Sequence, residues 1–249
     1  GGNPENAITM TRFDALAARE GLIAVYPGGT GALAGGRILT WNAGHCCAFA
    51  MRNRSDDVGF ISALIDRLVS SGRADPGRIY VTGMSNGGMM SHRLARELSG
   101  RIAAIAPVVG AVFGDEPPPA GPVPAFIIVG AVDRTVPGAG GPLGLRDDVL
   151  QGGPPAEDRP VAPALAQAEY WAKANGCGAS KTTETAFVRT TTWTGCRSGA
   201  DVVFNVVANN GHAWPGGAPG RAVANPPTQD YDASAAMWEF FRAHPRKGR

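Results

Sequence analysis

Apolar and polar positions run along this chain in two periods, and their order predicts its architecture. Asn3 and Pro4 have the form of a helix cap and a first helical residue, and Ile8, Phe13 and Leu16 give an apolar face that carries a first helix up to Gly21. The unbroken run Leu22-Ile23-Ala24-Val25-Tyr26, stopped by Pro27-Gly28-Gly29, predicts a strand buried on both faces of a parallel sheet. A glycine-rich loop from Gly28 to Gly44 leads into Trp41-Asn42-Ala43-Gly44-His45-Cys46-Cys47. Asp56-Asp57 then caps a helix whose apolar positions Val58, Ile61, Leu64, Ile65 and Leu68 repeat at three and four.

The second half of the pattern is mostly strand-like. The run Arg78 to Met84 breaks off in Gly83-Met84-Ser85-Asn86-Gly87, and a helix-compatible segment from Met89 to Leu98 follows at once. Ile102 to Val109 and Ala125 to Val129 predict two more buried strands, separated by a proline-rich loop around Pro117 to Pro119. Gly138 to Pro160 has no periodicity and reads as a surface excursion. A helix from Pro163 through Leu165, Tyr170 and Trp171 is expected to end at Asn175-Gly176. Phe187 to Trp193 and Val202 to Val207 read as late strands, and Ala233 to Phe241 as a closing helix. Strands alternating with helices predict an α/β fold, a doubly wound and mostly parallel sheet with helices on both faces.

Composition narrows the function classes. At 249 residues the chain suits one α/β domain spanning 1–249, without internal repeats. No apolar run approaches the roughly 20 residues of a membrane span. The net charge is only +2, and the one basic run is Arg242 to Arg249, so neither a nucleic-acid nor a membrane partner is expected. The four cysteines, Cys46, Cys47, Cys177 and Cys196, allow three full pairings and lack metal-ligand spacing. No metal or cofactor is expected.

The chemistry starts at Ser85. A serine hydroxyl is a weak nucleophile that must be presented to a base, and a sharp strand-to-helix turn with small neighbours does this. Asn86 N–H at the helix start can face a developing oxyanion. Among the four histidines, His92 falls inside the following helix and reads as a partly exposed helix residue, His244 lies in the basic tail, and His45 sits in the Trp41 loop. His212, in Asn209-Asn210-Gly211-His212-Ala213-Trp214 after the last apolar strand run, is the candidate base. Asp133 follows the Ala125 to Val129 strand, at the edge where open α/β sheets place their sites, and is the candidate acid. The chain order Ser85, Asp133, His212 is the order of an α/β-hydrolase triad.

Trp41-Asn42-Ala43-Gly44 with Cys46-Cys47, Asp56-Asp57-Val58-Gly59-Phe60, the segment Gly83 to Met89, and Gly211 to Gly216 closely resemble the polyhydroxybutyrate depolymerase-like esterases, a family that includes feruloyl-esterase-like secreted hydrolases. The resemblance runs over nearly the whole chain and implies a serine esterase with Ser85, Asp133 and His212 as its triad. It places Trp41 and Trp214 near the substrate, and Met84 inside the motif joins them as an expected substrate-binding residue. Family members carry strands and a His-Gly-type oxyanion loop before the first helix. Here Gly1-Gly2 are expected to be the last residues of that loop, supplying a second oxyanion donor, with the N-terminal strands missing. Gly138 follows Val136-Pro137 where relatives often have an aromatic residue. The implied substrates are small-molecule or polymeric esters, of the polyhydroxyalkanoate or hydroxycinnamoyl type. Arg134, Arg146 and Arg159 leave open a polyanion such as poly(aspartic acid) on the same triad, and the competing class is a non-catalytic binding module.

Cys177 and Cys196 flank one excursion and are expected to bridge it. Cys46 and Cys47 are then left to each other, either as a vicinal bridge stiffening the Trp41 loop or as two free buried thiols. Disulfides and the family resemblance together imply a secreted or periplasmic protein. No signal peptide is visible in the sequence, and processing or truncation could have removed one.

Overall fold

The computed structural model describes residues 1–32, 36, 38–144, 159–220 and 225–246. Residues 145–158 of the excursion, with Arg146, and the tail residue Lys247 therefore lie outside the described residues.

Among the described residues, six strands form one sheet: β1 (Tyr80–Met84), β2 (Ala104–Val108), β3 (Ala125–Gly130), β4 (Ser180–Glu184), β5 (Val188–Trp193) and β6 (Val202–Val207). Their spatial order is β1-β2-β3-β6-β5-β4. The first four are parallel, and β5 and β4 add an antiparallel hairpin. Among the described residues, seven α-helices surround the sheet: α1 (Pro4–Thr11), α2 (Phe13–Glu20), α3 (Ala48–Arg52), α4 (Asp57–Ser70), α5 (Asn86–Glu97), α6 (Leu165–Asn175) and α7 (Ala233–Ala243).

The central strands alternate their side chains between two cores, as a pleated strand must. Ile105, Ile127 and Phe204 face one core with Ile61 and Ile65 of α4, Met89 and Leu94 of α5, and Trp171 of α6. Ala106, Val108, Phe126, Ile128 and Val207 face the other with Met237, Phe240 and Phe241 of α7. Both faces are thereby covered, which is why β2 and β3 are buried at every position and read as unbroken apolar runs. The class is α/β, a doubly wound and mostly parallel sheet.

Two expected framework elements differ from the structure, and one strand was not expected. The first helix is two: Asn3 does cap α1, accepting from Asn6 N–H at 2.9 Å, but Arg12 takes a left-handed conformation at φ 52° and turns the chain into α2. Leu22 to Tyr26 belongs to no strand of the sheet, and Ile23 and Val25 are exposed there. Conversely, β4 carries no apolar signal, because all five of its residues are exposed and polar, and it is held to β5 by the antiparallel ladder with Thr182 and Thr191 hydroxyls bonded across it at 2.9 Å.

Candidate active site

The parallel strands all end at one edge, and three loops beyond that edge build the site. Ser85 lies between β1 and α5 at φ 58°, ψ −121°, a conformation a non-glycine residue holds only when its surroundings impose it. Two features impose it here. Ser85 N–H donates to Val108 O at 2.9 Å, tying the turn to β2, and Ser85 O accepts from Met89 N–H at 3.0 Å as the first helical bond of α5. The turn is tight enough that a Cβ on Gly83 would stand 2.6 Å from the backbone of Gly87, so the motif glycine is required by contact.

Asp133 is delivered by the loop after β3. Its Oδ1 accepts from Thr135 N–H at 2.8 Å and Val136 N–H at 2.9 Å, leaving Oδ2 aimed at the neighbouring loop. That loop follows β6, the strand beside β3, and Val132 N–H donates across to Asn210 O at 3.2 Å. The buried Asn210 side chain donates to the carbonyls of Gly211 and Ala213, and Asn225 Oδ1 accepts from His212 N–H at 2.8 Å. His212 is thus held by two asparagines to which sequence reasoning gave no role. Asn210 and Gly211 stand next to the histidine in the motif, whereas Asn225 lies in a loop without a pattern.

The result is a continuous relay. His212 Nδ1 lies 2.8 Å from Asp133 Oδ2, and His212 Nε2 lies 2.9 Å from Ser85 Oγ. A carboxylate accepts only, so Nδ1 carries the proton and donates to Asp133, which leaves a lone pair on Nε2 to accept from the serine hydroxyl. All three residues are buried. The arrangement can move a proton off Ser85 and hold the imidazolium that results against a fixed negative charge.

Asn86 opens α5, where backbone N–H groups lack an intrahelical acceptor. Gly2 departs from expectation: its N–H donates to Leu39 O at 3.2 Å in an antiparallel bridge, so it is not an oxyanion donor in this conformation. Trp41 is half-buried beside the elbow, its backbone bonded to the Asn86 side chain and its ring stacked on Phe60 at 6.5 Å between centroids. Met84, half-buried, immediately precedes Ser85 and packs against the core on the α7 side. Trp214 is a correction: it is 1% exposed within that core, with its indole N–H donating to Ser234 Oγ at 3.0 Å, so it is framework and lines no groove.

The remaining histidines lie outside the relay. His92 is buried, not partly exposed, because α6 packs over it. Trp171 Nε1–H donates to His92 Nδ1 at 2.9 Å, which forces the Nε2–H tautomer and a bond from Nε2 to Gln167 Oε1, also 2.9 Å. Burial among such neighbours pushes its pKa down to about 4. His45 is half-buried and meets Asp115, which also pairs with Arg159. His244 Nδ1 donates to Phe240 O at 2.7 Å. Both cysteine pairs, Cys46 with Cys47 and Cys177 with Cys196, are disulfides, and Cys46 and Cys47 are buried behind the Trp41 loop. Among the described residues, no group of three or more His, Cys, Asp or Glu is placed to hold a metal ion, and no helix is long and apolar enough to cross a membrane.

Comparison with known proteins gives the family and the fold. Among curated proteins, the chain is 32% identical over 173 residues to the putative esterase NocK of Nocardia uniformis subsp. tsuyamanensis, covering 65% of this chain and 49% of that one. It is 32% identical over 180 residues to feruloyl esterase B of Piromyces equi, covering 70% of this chain and 31% of that protein. The chain therefore spans half or less of the length of these relatives. An acetyl xylan esterase from Aspergillus awamori superposes with a TM-score of 0.52 at 16% identity, over 85% of this chain and 80% of that one, which shows a shared α/β-hydrolase fold. The family model for esterase PHB depolymerase matches residues 2–138, a stretch that contains Ser85 and Asp133 and stops short of His212. The match covers more than half of the sequence, and this chain belongs to the esterase PHB depolymerase family.

Proposed function

We propose that this chain is a serine hydrolase that cleaves carboxylic esters through an acyl-enzyme, acting as one catalytic unit. The observation that carries the reading is the unbroken relay from Ser85 Oγ through His212 to Asp133, at 2.9 and 2.8 Å. In the first half-reaction Ser85 Oγ attacks the ester carbonyl carbon while His212 Nε2 takes the hydroxyl proton. Collapse of the tetrahedral intermediate expels the alkoxide, which leaves as alcohol with that proton. In the second half-reaction water attacks the acyl carbon as His212 removes its proton, and His212 returns that proton to Ser85 Oγ as the acid departs. Asp133 keeps His212 in the productive tautomer throughout. The Asn86 N–H at the start of α5 is the proposed oxyanion donor, and a backbone N–H near Gly1 is the proposed second.

For the substrate we favour a neutral polyester of the polyhydroxyalkanoate type or a hydroxycinnamoyl ester. The family membership and the half-buried Trp41 beside the elbow support this. The arginine argument for a polyanion is weakened, since Arg159 already pairs with Asp115. The two disulfides support a secreted or periplasmic location, because such bonds persist in oxidising compartments.

The test is direct. Ser85→Ala should reduce ester hydrolysis to background while the protein keeps its circular dichroism and melting transition, and a fluorophosphonate probe should label wild type but not this variant. Retained hydrolysis in Ser85→Ala would remove the assignment, and failure of wild type to label would favour a binding module. Turnover of polyhydroxybutyrate, methyl ferulate and poly(aspartic acid) side by side then fixes the substrate class.

A further inference from the structure

The Trp41-Asn42 segment is held in an unusual way. Each of the four backbone polar groups of these two residues has a side-chain partner. Trp41 N–H donates to Asn86 Oδ1 at 2.7 Å, and Trp41 O accepts from Asn86 Nδ2 at 2.9 Å. Asn42 N–H donates to Asp57 Oδ2 at 2.6 Å, and Asn42 O accepts from Arg93 Nη1 at 2.6 Å. Loops normally satisfy such groups with water or with other backbone, so a complete set of side-chain partners fixes both peptide planes.

These partners come from the elements that build the site. Asn86 is the residue after the nucleophile, and Arg93 is seven residues on, two turns along the same face of α5. Asp57 is the first residue of α4 and is 4% exposed. Burial raises its pKa, opposed by the Asn42 N–H and the Arg93 charge. A carboxylate buried this deeply beside a backbone N–H is costly unless the contact is retained. The same helix α4 supplies Phe60, on which the Trp41 ring stacks. Two helices thus grip one aromatic residue by its backbone and its face, the backbone held by Asn86, the residue after Ser85.

We infer that Asp57 and Arg93 are positioning residues that hold the Trp41 indole as a rigid wall beside Ser85 and so set the size of the ester group accepted there. The inference rests on the esterase reading above. Neither residue touches the relay, so their effect belongs in substrate binding and depends on Trp41 being present.

The experiment uses the whole chain and three esters: methyl acetate, small on both sides, phenyl acetate, with a ring on the alkoxy side, and methyl benzoate, with a ring on the acyl side. Asp57→Ala should raise KM about tenfold for at least one ring-bearing ester, with kcat falling less than about threefold and the methyl acetate KM moving less than about threefold. Asp57→Asn, which retains an acceptor oxygen for Asn42 N–H, should restore most of the difference. In a Trp41→Ala background, Asp57→Ala should add less than about a twofold effect, since coupled residues are not additive. Arg93→Met repeats the measurement by the opposite partner and serves if Asp57→Ala does not fold. Equal losses on all three esters, or the same effect with and without Trp41, would overturn the inference while fluorophosphonate labelling of wild type keeps the esterase reading. Absence of that labelling would overturn both.

Discussion

Two imidazoles are buried within reach of helix α5, and they are built for opposite ends. His212 sits between a hydroxyl and a carboxylate, and His92 sits between an indole N–H and an amide oxygen. Each has both ring nitrogens bonded at 2.8 to 2.9 Å, so neither hydrogen-bond count nor distance separates them. Charge does. A proton arriving at His212 Nε2 meets a fixed anion across the ring, whereas a proton arriving at His92 Nδ1 must displace the Trp171 N–H in a place without a carboxylate in contact. The charged groups acting on His92 are Glu116, which favours protonation, and Arg96, which opposes it, and neither offsets the burial. A buried histidine becomes a base by virtue of the group on its far nitrogen.

Deleting each ring in turn separates the two histidines. His212→Ala should lower kcat for ester hydrolysis by about 10⁵ to 10⁶-fold, as loss of a triad base does elsewhere, with the melting temperature little changed. His92→Ala should leave kcat/KM of the folded protein within about threefold. Next in size is the orienting carboxylate: Asp133→Asn retains the shape but permits the wrong tautomer of His212, and a loss of about 10⁴-fold in kcat is expected by steady-state kinetics.

The stability effects fall on the other histidine. His92→Ala removes a buried ring and orphans the Trp171 N–H and the Gln167 carbonyl, a cost of about 4 kcal/mol measurable by urea unfolding. The smallest effect is its pH dependence. The folded pKa of His92, about 4, lies below the ordinary value of 6.5, so the unfolded chain binds the proton more tightly. Its contribution is therefore fully present above about pH 6.5 and is lost as pH falls toward 4, amounting to roughly 3 kcal/mol over that window. Urea midpoints measured across this range in wild type and in His92→Gln should differ in slope, and equal slopes would mean that His92 is not buried neutral.

Sequence reasoning reached what is encoded locally. The Gly83 to Gly87 turn, the strands β2, β3 and β6, and the capped helix α4 each carry their signal within a dozen residues, and the order of Ser85, Asp133 and His212 follows from where strands end. What it missed depends on partners far away in the chain. Trp214 follows His212 in the motif, but its ring turns into the core to reach Ser234, which periodicity in a loop cannot show. His92 looks like any polar residue on an amphipathic helix until α6 covers it. The resemblance makes Gly2 a donor as the end of an oxyanion loop, whereas its bond to Leu39 is a long-range pairing. Asp57 was seen as part of a helix start, and the Asn42 N–H that it accepts is supplied from another loop.

The separation of the relay in the chain has a consequence for when the site comes into being. His212 is 127 residues from Ser85 and 79 from Asp133, and they meet only through the parallel pairing of β6 onto β3. Pairings across such distances form slowly, because the chain entropy of the loop must be overcome before the contacts exist. Ser85 can be in its elbow, with β1, β2 and α5 in place, and still have no base. On the proposed mechanism a nascent or partly refolded chain should stay inert toward esters until β6 pairs with β3, so the onset of hydrolysis would report that pairing.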